Sequence, residues 1–175
     1  PPEPPAAAAP VVGDQEAERS AWLAGIRRTN YGFAKVEILP GNVGLLELRR
    51  FQPPEVGGDA LIATMGVLAN TDAVIVDLRN CLGGSTQMLT FLASYFFAKP
   101  THMFDMEFRG DKYTEHYWTM PYVPGKRLAT VPMYILTSAY NLSGSEALAY
   151  RFKVLKRATI VGERTRGGAN AGGIR

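Results

Sequence analysis

Three short apolar runs constrain this chain more than any other feature: "DAVIVDLRN" (72–80), "VPMYILTSA" (131–139) and "ATIVGE" (158–163). Each is strand-length, is ended by polar or glycine residues, and lacks the alternation of a strand with one wet face, so each reads as a strand covered on both sides. The stretches between them carry a helical period instead. In "STQMLTFLASYFFAK" (85–99), Met88, Leu92 and Tyr95 or Phe96 fall on one face, and "SGSEALAYRFKVLK" (143–156) reads as another helix. Upstream, Leu61, Met65 and Leu68 make an amphipathic helix of 59–70, while 35–51 reads as two strands around the turn "LPGN". Residues 13–33 hold a short helix with Trp22, Leu23 and Ile26 as its apolar stripe, and the aromatic, turn-rich 100–128 reads as a strand pair with irregular loops. Strand and helix alternate from about residue 43 to 163, which predicts an α/β fold with helices covering a mostly parallel sheet.

With 175 residues, 46% of them apolar, the chain can bury one core, assigned to residues 13–175. Residues 1–12, rich in proline and alanine, read as a stiff linker and lack the basic start of a signal peptide. No apolar run reaches the roughly 18 residues of a membrane-spanning helix. The net charge of +3 is uneven: residues 151–175 carry seven basic side chains against Glu163 alone. These cluster on one helix and a terminal loop without the interleaved aromatics of a nucleic-acid surface, so no nucleic-acid partner is expected. Cys81 is the sole cysteine, which excludes an internal disulfide and a cysteine-based metal site. Neither His102 nor His116 has a histidine or carboxylate at helical i+4 spacing, so both read as surface or interface residues, with no metal or cofactor assigned.

Two loops follow apolar runs in the place where α/β sheets collect their sites, "NCLGGS" and "YNLSGSE". Ser143 and Glu146 match the S-x-x-E capping box, which by itself accounts for both residue types. The same serine, at the first turn after a strand and over a helix N-terminus, also has the placement of a nucleophile, with the amide of Gly144 free to point at an oxyanion. The pattern G-x-S-x-G is absent, so that likeness is of arrangement only. Gly83 and Gly84 admit a similar pair of readings: a strain-free helix entry capped by Ser85, or amides that approach a ligand with no Cβ in the way.

In their order and spacing, "YGFAKVEILPGNVGLLELRRF", "NTDAVIVDLRNCLGGS", "TEHYWTMPYVPGKR", "YILTSAYNLSGSEALAYRFKVLKRATIVGE" and "RGGAN" resemble the C-terminal processing, or tail-specific, serine peptidases. The nearest subgroup is that of the tricorn core and interphotoreceptor retinoid-binding protein. The resemblance implies a Clp protease/crotonase-like fold and hydrolysis of a polypeptide substrate through an acyl-enzyme. It places Ser143 at the nucleophile position and Gly144 with Gly83 or Gly84 at the oxyanion hole, while Glu146 is the supporting helix cap that the capping box gives. The tail-specific branch pairs its serine with a lysine 25 residues later, where this chain has Gly168, so a serine-lysine dyad is not expected. The tricorn-like branch takes a histidine from a helical segment ahead of the core and a glutamate from a strand after it, so base and acid are expected from outside this chain, with the core expected to be incomplete at its C-terminal side and to lack the N-terminal helical domain. His102 and His116 are the fallback bases.

Some members of the family carry the fold without protease activity. The alternative reading is therefore a non-catalytic protein holding a hydrophobic ligand or peptide in a cleft lined by Phe104, Phe108, Tyr113, Tyr117 and Trp118. An extracytoplasmic location follows from the resemblance alone, and oligomeric state is not specified by the sequence.

Overall fold

The apolar runs are spatial neighbours. In the computed structural model, which describes residues 12–107 and 112–168, they form β3 (Ala73–Asp77), β6 (Met133–Thr137) and β7 (Thr159–Gly162). With β1 (Phe33–Leu39) and β2 (Val43–Leu48) these make a five-stranded sheet of order β1-β2-β3-β6-β7. Every pairing in it is parallel except the hairpin β1–β2. The expected α/β fold with a mostly parallel sheet flanked by helices is the one observed. Most of the stretch predicted as a linker lies outside the described residues.

The register Val74↔Met133, Val76↔Ile135 puts apolar side chains of adjacent strands side by side, and Leu46, Val74, Val76 and Ile135 are fully buried. Helices α2 (Pro54–Leu68), α3 (Thr86–Ser94) and α4 (Gly144–Val154) supply the rest of the core, chiefly through Leu61, Met65, Leu68, Leu89, Leu92 and Phe152. At roughly 2 kcal/mol for each fully buried aliphatic or aromatic side chain, this cluster is the main source of stability. β7 is the exception to the expectation of three buried strands. Among the described residues it pairs on one side only, and it exposes Thr159, Val161 and Gly162, because a run of four apolar and small residues can also serve a sheet edge.

Two helices differ in extent from their periodicity. α2 begins five residues before the predicted 59, because Pro54 at its first position presets the helical φ and has no amide to leave unbonded. α3 stops five residues short of 99, because its last carbonyls are taken by side chains. Arg127 donates to the carbonyls of Ser94 and Phe97, and Ser94 Oγ bonds back to the carbonyl of Thr90 at 2.6 Å. At the N-terminal side α1 (Val12–Arg28) forms as expected, but of its stripe Ile26 alone is buried while Trp22 is 46% exposed.

The predicted strand pair is β4 (His102–Glu107) against β5 (Thr114–Trp118), an antiparallel hairpin that forms its own two-stranded sheet. It is tied to the domain by the amide of Met120 donating to Ser94 Oγ at 2.7 Å and by Arg151 of α4 donating to the carbonyl of His102 at 2.9 Å.

Candidate active site

Parallel β3 and β6 release their chains at the same sheet edge, so the glycine loop after β3 and the serine turn after β6 emerge side by side. Buried side chains fasten them together. Asn141 Nδ2 donates to the carbonyls of Leu78 and Cys81, and its Oδ1 accepts from the amide of Ser138 at 2.7 Å. Ser145 Oγ donates to the carbonyl of Cys81 at 2.8 Å and accepts from the amide of Leu142 at 3.2 Å. Both residues are fully buried. The sequence reading missed this pair, although small polar residues flanking a serine turn are the signal that would have found it, since buried polar groups need partners.

Ser143 occupies φ 60°, ψ −125°, a region that costs a residue with a Cβ roughly 1–3 kcal/mol and is held only by over-determined surroundings. A serine that merely caps a helix sits in the β region, with its oxygen accepting from the first turn. Here Ser143 is exposed. Its hydroxyl lies on the capping side, but without hydrogen-bond geometry to any amide of the first turn. The box is completed from the other direction, by the amide of Ser143 donating to Glu146 Oε2 at 2.8 Å.

Glu146 does more than cap. Its carboxylate also accepts from the amides of Gly167 at 2.6 Å and Gly168 at 2.8 Å, which draws the segment after β7 onto the serine turn. Burial opposes its charge, but the amides of Gly167, Ser143 and Gly168 and the hydroxyl of Thr165 outweigh that and hold the carboxyl below the ordinary glutamate value. A depressed value means that the stabilisation is complete above the unfolded-state pKa and is lost as the pH falls through the folded-state value. Glu146→Gln must turn an NH₂ group toward amide donors, so at pH 7 it is expected to cost about 2–3 kcal/mol in urea unfolding. That difference should shrink as the pH falls from the ordinary glutamate value through the lower folded-state one, where the wild-type glutamate also protonates. Gly168, at the position where the tail-specific branch has lysine, packs so closely on Leu142 that a Cβ there would overlap its side chain.

The glycine loop meets the serine turn backbone to backbone. The amide of Phe51 donates to the carbonyl of Gly83 at 2.9 Å and its carbonyl accepts from the amide of Ser85 at 2.8 Å. In such a parallel bridge the intervening residue turns its own N–H to the opposite side. That residue is Gly84, and its nitrogen lies 3.3 Å from where a Cβ on Gly144 would stand. Among the described residues, neither the amide of Gly84 nor that of Gly144 donates to a protein acceptor. The amide of Gly83 instead bears on the thiol of Cys81, whose pKa burial pushes up to about 11 despite that hydrogen bond. Cys81 is a buried, protonated packing residue.

Neither histidine is hydrogen-bonded to Ser143. His102 Nε2 and His116 Nδ1 both bond Asp105 Oδ1, at 2.6 and 2.7 Å, on the outer face of the hairpin. Their bonds hold the Asp105 carboxyl below its ordinary range. Nor do the aromatics of 100–128 converge on one cleft. Phe104 and Tyr117 stack on each other on the inner face, Tyr113 and Trp118 are exposed, and Phe108 lies outside the described residues.

A serine on a strained turn at the carboxyl edge of a parallel sheet, over a helix N-terminus and beside two amides without acceptors among the described residues, has the arrangement of a strand-turn-helix elbow. The family model "Peptidase family S41" matches residues 42–173, and the chain belongs to that family. Solved structures agree on the fold. A candidate S41 protease from Bacteroides fragilis NCTC 9343 superposes with a TM-score of 0.65 at 18% identity, over 78% of this chain and 40% of that one. The photosystem II D1 C-terminal processing protease gives 0.55 at 21% identity, over 75% and 34%. Mature CPAF gives 0.57 at 16% identity, over 71% and 38%. The chain thus spans between a third and two fifths of the length of these proteins. No helix among the described residues is long and apolar enough to cross a membrane.

Proposed function

We propose that Ser143 is the nucleophile of a serine peptidase and that the amides of Gly144 and Gly84 form its oxyanion hole. The observation that carries this reading is the strained backbone of Ser143 combined with an exposed hydroxyl that lies on the capping side without good hydrogen-bond geometry to the first turn. Ser143 Oγ adds to a peptide carbonyl, its proton passes to a general base, and the two amides hold the oxygen that becomes negative. Collapse breaks the C–N bond, the base returns the proton to the leaving amine, and water then hydrolyses the acyl-enzyme by the same route.

The base comes from outside the described residues, since both histidines are committed to Asp105 and position 168 is a glycine. Gly84 is preferred to Gly83 as the second donor because the amide of Gly83 is directed at Cys81. Substrates are polypeptides, and the setting that goes with this reading is extracytoplasmic, which fractionation of the source cells tests.

A fluorophosphonate probe applied to the protein with its flanking segments should leave one adduct, on a peptide containing Ser143. The adduct should be absent from Ser143→Ala. Folded protein that contains those segments and takes up no probe at Ser143 would end the peptidase reading.

A further inference from the structure

Strand pairing assembles a cluster outside the proposed peptidase site that neither the family match nor the sequence motifs assign. In an unbroken strand, residues three apart face opposite sides, so His102 and Asp105 would not meet. The register of β4 against β5 shifts between His102 and Phe104. Such a bulge re-aims the side chain beyond it, and it brings His102 to the face that carries Asp105. His116 stands directly across from Asp105 in the ladder, and Trp118 across from His102. The result is two imidazole nitrogens and one carboxylate oxygen whose ligating atoms all lie within 4.8 Å of one another.

We propose that His102, Asp105 and His116 form a binding site for a borderline divalent transition-metal ion, with Zn²⁺ as the representative case. The ligand set is two imidazoles and a carboxylate, which this class of ion favours and which hard cations, preferring all-oxygen sites, do not. Metal-to-ligand distances of about 2.0–2.2 Å in a tetrahedron separate the ligand atoms by about 3.4 Å. The present nitrogen-to-oxygen distances of 2.6 and 2.7 Å therefore need open by less than about 1 Å, a rotamer adjustment on a solvent-facing surface. His102 would ligate through Nε2, His116 through Nδ1 and Asp105 through Oδ1, with water completing the shell. Glu107, farther along the same face and bonded to Thr114, adds negative potential. Arg151, bonded to the His102 carbonyl, is the opposing charge. The ion would staple β4 to β5, two strands that as an isolated pair are marginally stable.

The chain has only two histidines, which makes the test direct. Zn²⁺ titrated into EDTA-treated protein should bind with a stoichiometry of one. It should shift both imidazole spin systems in a ¹⁵N-¹H spectrum, leaving His102 as the Nδ1–H tautomer and His116 as the Nε2–H tautomer. The melting temperature should rise by roughly 5–10 °C at a hundredfold excess over the dissociation constant. His102→Gln and His116→Gln, checked for folding by circular dichroism in EDTA, should each weaken binding at least about tenfold. If Zn²⁺ moves neither ring, or binds the double variant H102Q/H116Q as tightly as the wild type, the site does not exist. None of these readouts depends on Ser143, so the result stands or falls separately from the peptidase reading.

Discussion

Ser143→Ala is expected to lower peptide hydrolysis by the protein with its flanking segments by about 10⁴- to 10⁶-fold while changing its unfolding free energy by less than about 0.5 kcal/mol. The pairing of those two results is the point of the experiment. If the hydroxyl were an N-cap, its loss would cost about 1 kcal/mol. The hydroxyl sits in the capping box without good hydrogen-bond geometry to the first turn, however, and the amide bond to Glu146 survives the substitution. Ser143→Gly sharpens the contrast. Glycine accepts φ 60° without the Cβ penalty, so this variant should be inactive yet more stable than Ser143→Ala by about 1 kcal/mol. Stability from urea titrations and kcat/KM on a peptide substrate, measured on the same preparations, settle both halves. An alanine variant that loses a full kilocalorie and keeps its activity would return Ser143 to the role of a cap.

The second large effect belongs to the glycine loop. Gly84 has φ +136°, and a Cβ there would overlap the carbonyl oxygen of Phe51, which is main chain and cannot swing aside. Gly84→Ala should therefore cost about 3 kcal/mol or more. Gly83 has φ +84°, and its Cβ would stand 2.5 Å from the nitrogen of Gly144 and 2.8 Å from the carbonyl oxygen of Leu142. Gly83→Ala then drives the glycine loop off the serine turn. A displacement of about 1 Å at the reacting atoms is worth about a hundredfold in rate, so fluorophosphonate labelling of Ser143 should slow by about that factor even in molecules that remain folded. Unchanged labelling in folded Gly83→Ala protein would mean that the two loops do not act together on a substrate.

The apolar runs, the helical spacings and the two loops after strands were legible because each is a local property of the chain. Continuous apolar runs and apolar residues recurring in period 3.6 have few ways to bury themselves, and the strand-helix alternation leaves one broad architecture. Where local reading failed, a distant residue had intervened. Arg127 ended α3 by binding the carbonyls of Ser94 and Phe97, and the run at 158–163 became an exposed edge because nothing pairs with its outer side among the described residues. The histidines were weighed by helical spacing, yet they sit on strands, where a bulge and the cross-strand register decide which side chains meet.

What the sequence by itself determined about this protein is its fold class and the pair of residues, Ser143 and Glu146, on which any account of the serine turn depends. Composition, periodicity and turn chemistry act over a few neighbouring residues, and those can be read in order. Only the tertiary structure supplied the backbone strain on which the proposed elbow rests, a positive φ at Ser143 held against its intrinsic preference by Asn141, Ser145 and the amides gathered on Glu146. Strain of that kind is maintained by contacts between segments far apart in the chain, so no window of sequence contains it.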